Sequence, residues 1–194
     1  SMTVLCTDKT GTLTEGKIML SEVLDAAARP SEPLRRLAFI NAALETGIEN
    51  PLDAAIVAAG ATAGLTTAGL TKIDEIPYDF VRRRLTIVVS ETADPGHHLI
   101  ITKGAFAEVL DSCTAFERDG TEAPLDAAAR ANLESVFTAK GAEGFRVLAL
   151  ATRRVAAKSD YDREDERGMV FRGFLVFLDP PKPEARETIA NLAR

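Results

Sequence analysis

The chain has 194 residues but only two cysteines, Cys6 and Cys113. Two are too few for a disulfide framework, and both read as small core residues of a protein in reducing surroundings. No apolar run approaches the length that crosses a bilayer, and no signal peptide is visible. Positive charge is in deficit: the formal net charge of -6 argues against nucleic acid or an anionic membrane as the main partner. The patterns CxxC, GxxxxGK[ST] and Ser/His/Asp are missing. The two histidines, His97 and His98, are neighbours at the entry to a strand, so they point to opposite faces and do not chelate one metal together. The acidic cluster Asp160, Asp162, Glu164, Asp165 and Glu166 lacks the glycine and spacing of an EF-hand loop and reads as a solvated loop or helix face.

What remains is an ordinary globular composition, 46% hydrophobic and 27% charged, long enough for one good-sized core. Ser31 caps a helix carrying Leu34, Leu37, Ala38 and Ile40. Asn50 caps a second, with Pro51 at its first position and Asp53 in its first turn. Apolar runs at residues 85–89 and 99–102 predict strands joined by a turn containing Asp94-Pro95-Gly96. Gly104 opens a turn into a helix carrying Phe106, Val109 and Leu110. Arg118-Asp119-Gly120 reads as a hairpin turn. A helix over about residues 126–140, strands at 146–151 and 169–178, and a final helix from Glu184 complete the chain. Strands interleaved with helices predict an α+β domain with a largely antiparallel sheet flanked by helices.

The segment Asp8-Lys9-Thr10-Gly11-Thr12-Leu13-Thr14 follows the apolar stretch Val4-Leu5-Cys6-Thr7, which reads as a buried strand. An aspartate at the end of such a strand is well placed as a carboxylate nucleophile of the kind that forms an aspartyl phosphate. Lys9 offsets charge on an incoming phosphoryl group, and Gly11 allows a tight turn whose amides cradle oxyanions. The competing reading is an Asx or Ser/Thr turn in which Asp8 merely satisfies nearby amides. The full heptapeptide resembles the phosphorylation motif of the P-type ATPases, ion pumps that phosphorylate themselves on aspartate.

Other segments resemble the same family, in the family's order. Ile76-Pro77-Tyr78-Asp79-Phe80, followed by Arg82-Arg83-Arg84, resembles its adenine-site strand. An exposed aromatic there stacks on a purine and nearby arginines attract phosphates. Standing alone, the segment reads instead as a core Phe80 beside a solvated arginine face. Lys103-Gly104-Ala105 resembles the KGA motif, where the lysine is a point charge and the glycine admits a ligand to the backbone. Gly144-Phe145-Arg146-Val147-Leu148-Ala149 resembles a strand whose arginine faces the phosphates; its plain reading is a buried strand with one snorkelling arginine. Asp179-Pro180-Pro181-Lys182 resembles the hinge back to the phosphorylation domain, where the carboxylate holds hinge backbone or acts near ATP; alone it terminates a strand. Asp53 stands where most relatives carry a glutamate near adenine, although helix capping explains it equally well.

The resemblance implies a nucleotide-binding domain over residues 18–176, flanked by pieces of the phosphorylation domain at 1–17 and 177–194. It implies ATP held by Asp53, Phe80, Arg82, Lys103, Gly104, Arg146 and Asp179, with Asp8, Lys9 and Thr10 catalytic and Asp8 and Thr10 at magnesium. The implied partners are ATP and the transmembrane and actuator domains of a parent pump, with no nucleic acid. The chain would be a cytosolic piece of a plasma-membrane protein, the inner membrane in a bacterium, and Ser1 before Met2 reads as a cloning remnant. The phrases at residues 45–53 and 72–80 most resemble the bacterial magnesium-transporting branch. Two other classes compete. A soluble haloacid dehalogenase-like phosphatase would carry a second aspartate as general acid where this chain has Thr10. A nucleotide-binding module without catalysis of its own is the reading expected of the isolated chain.

Overall fold

The computed structural model describes residues 14–47, 50–180 and 182. Asp8, Lys9 and Thr10, the strand expected at 4–7, Cys6 and the helix expected from Glu184 lie outside the described residues. Within them the order is β1 (Met19–Asp25), α1 (Glu32–Leu44), α2 (Pro51–Thr62), β2 (Leu70–Ile76), β3 (Arg84–Glu91), β4 (Asp94–Ala105), α3 (Phe106–Asp111), β5 (Cys113–Arg118), β6 (Thr121–Pro124), α4 (Ala127–Ala142), β7 (Arg146–Ala156), a single 3-10 turn (Arg163–Asp165) and β8 (Met169–Leu178).

All eight strands form one sheet in the order β2-β3-β4-β7-β8-β5-β6, with β1 paired to β8. Every pairing is antiparallel except β5 with β8. This is the expected α+β class with a mostly antiparallel sheet. β8 serves two partners along one edge: its first half pairs with β5 and its second half with β1. Gly173 sits near that change of partner with φ 152°, and a Cβ there would lie 2.0 Å from the Leu24 carbonyl oxygen. Only glycine permits so close a backbone approach.

The inner strands, β3, β4 and β8 above all, are buried on both faces over much of their length, and their alternation sorts side chains into two cores. Leu85, Ile87 and Val89 of β3 and Leu175 and Phe177 of β8 pack with Leu34, Ala38, Leu52 and Ile56 of α1 and α2. Val88, Phe174 and Val176 point the other way, to Phe106, Val109, Leu110 and Leu133 of α3 and α4. Ser31 caps α1 by accepting from the Leu34 amide, Asn50 caps α2 by accepting from Leu52, and Asp126 caps α4 by accepting from Ala129. Asp119 and Gly120 both have positive φ, as a two-residue type I′ hairpin requires. Cys113 is buried, and burial pushes its thiol up to about 12, so it is an inert core residue as expected.

Three local expectations are corrected. The β3–β4 turn is Thr92-Ala93, and Asp94-Pro95-Gly96 already belongs to β4, where a register shift between Ser90 and Glu91 accommodates the proline. Gly104 is still in β4 rather than in a turn. The anticipated strand through Phe80 ends at Ile76, and residues 77–83 form an irregular turn. β1 and β2 themselves were not anticipated. Their sequences, MLSEVLD and LTKIDEI, are half polar because each lies at a sheet margin.

Candidate functional site

A cleft of about 460 Å³ opens where the ends of β3, β4 and β7 meet the N-terminus of α2. Its floor is apolar, with Leu85, Phe106, Val147 and Leu148 among its lining. Its polar groups are the cations Arg83, Lys103 and Arg146, the carboxylates Glu45 and Asp53, and Asn50. Antiparallel pairing brings the strand segments together: Lys103 faces Leu150 and Gly104 faces Ala149 across β4–β7, while Gly104 faces Arg84 across β3–β4. An apolar slot of this size with a few convergent polar groups suits a small organic anion.

Of the residues expected to hold nucleotide, Asp53, Lys103, Gly104 and Arg146 line this cleft. Lys103 is 4% exposed and forms an ion pair with Asp53, with Glu45 Oε2 3.7 Å away. A lysine buried this far needs carboxylates beside it to offset its lost hydration. Glu45 Oε2 is itself buried and makes no hydrogen bond. Burial, together with a hydrogen bond to Asp53, pushes the Glu45 carboxyl up to about 7 against the pull of Lys103. Arg146 is exposed at the rim. Gly104 has a steric role different from the one expected: a Cβ there would lie 2.5 Å from the Arg83 carbonyl oxygen and 2.5 Å from Arg84 Cβ. What approaches this glycine is the chain's own turn.

Phe80, Arg82 and Asp179 are placed outside the cleft lining. Phe80 is 90% exposed, which removes the reading of it as a core residue. Its ring stands edge-on to Tyr78, centroids 5.6 Å apart, and Tyr78 lines the cleft. Arg82 turns away from the cleft. It donates to Asp79, to the Pro77 carbonyl at 2.6 Å and to Glu166 at 2.6 Å. Its neighbour Arg83, with φ 49°, faces the cleft instead and pairs with Glu108 at 3.0 Å. Asp179 ties the two described ends: Thr14 Oγ1 donates to it at 2.6 Å and the Gly16 amide at 3.1 Å, while the Glu15 amide donates to the Pro180 carbonyl at 2.9 Å. That is the hinge-holding alternative of its sequence reading.

Sequence reasoning missed Glu45, Tyr78, Arg83 and Glu166 as site residues. Glu166, assigned to a solvated face, is fully buried. It accepts from Arg82, from Arg84 Nε at 2.9 Å and from Thr86 Oγ1 at 2.6 Å. Its partners lie 80 residues or more earlier in the chain, so no local pattern could signal them. His98 is buried with Nδ1 2.7 Å from the Tyr161 hydroxyl, and His97 lies beside Asp94 at 3.0 Å, so the histidines do face apart. Among the described residues no group of three or more His, Cys, Asp or Glu side chains could hold a metal, and no helix is long and apolar enough to cross a membrane.

Fold and cleft together define an α+β domain with a cleft that combines an apolar floor and cations beside surface aromatics. Residues 38–184 match the family model of the P-type ATPase cytoplasmic domain N, and the chain belongs to that family. It is 41% identical over 185 residues to the magnesium-transporting ATPase, P-type 1, of Salmonella typhimurium strain LT2, a match covering 94% of this chain and 20% of that protein. The protein of the same name from Escherichia coli K12 is 39% identical over 185 residues, with the same coverage of 94% and 20%. Calcium-transporting ATPase 1 of Bacillus cereus is 27% identical over 211 residues, 98% of this chain and 23% of that one. The chain therefore spans about a fifth of the length of these relatives.

Proposed function

We propose that this chain is the ATP-binding part of a cation-transporting P-type pump of the magnesium-transporting branch, residing on the cytosolic side of a plasma membrane. The observation that carries the reading is the convergence of Lys103, Arg83 and Arg146 on one apolar cleft beside the exposed Tyr78–Phe80 pair. In this reading the adenine ring stacks on Phe80 and Tyr78, and the triphosphate runs toward Lys103 and Arg146. The fit is chemical: aromatic faces suit a purine, the floor excludes water, and the cations match a polyanion. Lys103 does not offer a bare charge. Asp53 and Glu45 hold it, and a phosphate oxygen competes with Asp53 for its ammonium. Asp53 is then released toward the base or keeps the lysine aimed.

Asp8 is the proposed acceptor of the γ-phosphoryl group, with Lys9 offsetting its charge and Thr10 beside it at magnesium. Asp8 and Thr10 would hold magnesium, which would supply neutralisation of the charge that develops in transfer. Residues 1–17 and 177–194 are the proposed flanks of the phosphorylation domain, and the Asp179 carboxylate pins their inner ends side by side. Ion selectivity and coupling belong to membrane and actuator parts of the pump.

Titration of the isotopically labelled chain with ATP and adenosine tests the reading. Expected are amide shifts at Phe80, Lys103, Gly104 and Arg146 with an affinity of about 0.1–1 mM, roughly 4–5.5 kcal/mol. The chain alone is not expected to take label from ATP onto Asp8. Shift-free spectra at millimolar ATP overturn the nucleotide reading.

A further inference from the structure

We propose that Glu166 and Arg82 form a positioning clamp that presents the aromatic turn to the base, and that Arg82 acts on nucleotide through this clamp rather than on the phosphates. The proposal rests on the nucleotide reading above. Its ground is the way three consecutive arginines are divided. Each of the three guanidinium nitrogens of Arg82 has a protein partner: Nε the Asp79 carboxylate, Nη1 Glu166, Nη2 the Pro77 carbonyl. Arg84 turns the same way, giving Nε to Glu166 and Nη1 to the Glu108 carbonyl at 2.7 Å. Arg83 between them turns out to the cleft.

Glu166 is the hub. A fully buried carboxylate is costly unless several donors satisfy it. Here all its donors, Arg82, Arg84 and Thr86, come from one five-residue segment at the exit of the turn. Thr86 is tied further to Thr102 of β4 at 2.7 Å, which joins the hub to the sheet. On the other side, Asp79 accepts from the Val81 amide at 2.9 Å and the Arg82 amide at 2.7 Å, and the Arg83 amide donates to the Asp79 carbonyl at 2.8 Å. The network therefore closes around the turn, which is tied besides by the Arg83–Glu108 pair at 3.0 Å, by the Ala105 amide donating to the Arg83 carbonyl at 2.9 Å, and by Arg163 at 3.5 Å from Asp79. Its tip is apolar and unburied: Phe80 is 90% and Val81 89% exposed. Two large apolar side chains held in water by a buried ionic anchor are a pre-organised contact surface, and pre-organisation is what an aromatic platform needs to gain affinity from stacking.

The clamp is tested on the whole chain with Glu166→Gln and Arg82→Lys, each titrated with adenosine and with ATP, alongside melting and amide hydrogen exchange. Glu166→Gln removes the charge that both arginines share. Arg82→Lys keeps a positive charge but loses the fork that spans Pro77, Asp79 and Glu166, and it serves if the first variant does not fold. The expected result is that either variant weakens adenosine and ATP by the same factor, about tenfold. The ATP-to-adenosine ratio stays at the wild-type value, and exchange quickens at Val81, Arg82 and Arg83 but not in β3 and β4. A selective loss of ATP would show that Arg82 is a phosphate ligand and overturn the clamp. So would unchanged affinities in a folded but less stable variant, the signature of a merely structural ion pair. Wild-type protein that binds neither ligand overturns the nucleotide reading and the clamp's purpose with it, whereas wild-type binding with unaffected variants overturns the clamp alone.

Discussion

Replacing Lys103 by methionine removes a cation buried beside two carboxylates while nearly keeping its volume. Breaking a buried pair from one side costs about 3–5 kcal/mol, because the remaining charge is left uncompensated. Glu45 already carries a proton up to about pH 7, so the uncompensated charge is chiefly that of Asp53. The lower end, about 3 kcal/mol, therefore applies. At about 2–4 °C per kcal/mol for a chain of this size, Tm should fall by roughly 6–12 °C near pH 6, where Glu45 is protonated. Lys103→Met combined with Asp53→Leu should recover most of the stability, since an apolar pair of similar volume replaces a buried ion pair at little cost. Both variants should lose affinity for ATP more than for adenosine, as each lacks the charge that faces the phosphates. Thermal melts followed by circular dichroism near pH 6 decide it. A Tm change under roughly 2 °C there would refute the account of a buried lysine held by Asp53.

Glu45→Gln is expected to stabilise the chain by about 1 kcal/mol near pH 8 and not near pH 5. The raised folded-state pKa of about 7 means that the wild type pays to ionise Glu45 as pH rises from about 4.5 to 7, and melts across that range show whether the pH slope flattens. Phe80→Ala should leave Tm within about 0.5 kcal/mol equivalents of wild type, because the ring is exposed, while weakening adenosine and ATP alike by about tenfold; a sharp fall in Tm would return Phe80 to the core. Gly104→Ala should cost about 1–3 kcal/mol, since its Cβ must push back the Arg83–Arg84 backbone. Chemical shifts in residues 78–84 should move with it, and a silent substitution there would contradict the close approach.

Residue chemistry acting over a few neighbours was legible in the sequence. The caps Ser31 and Asn50, the Asp119-Gly120 hairpin and the β-branched runs of β3 and β4 follow from hydrogen bonds and dihedral preferences within four or so residues. The α+β class and the family followed from those elements and from motifs such as DKTGTLT and KGA. β1 and β2 were missed because strands at a sheet margin carry half-polar sequences that only their partners make strands.

What the tertiary structure alone decided is where like residues point. In the run Arg82-Arg83-Arg84 the sequence offers three equal cations. The positive φ of Arg83 and a carboxylate 82 to 84 residues away turn two of them inward and one to the cleft. The acidic cluster at 160–166 offers five carboxylates, and only the fold buries Glu166 against those arginines. Lys103 and Asp53 each had a plain surface reading, and they became a buried pair because β4 and the start of α2 meet at one cleft. Local propensity is set by the backbone near a residue. Charge pairing in the interior is set by which distant segments close around it, because a buried charge survives only where the fold delivers its partner.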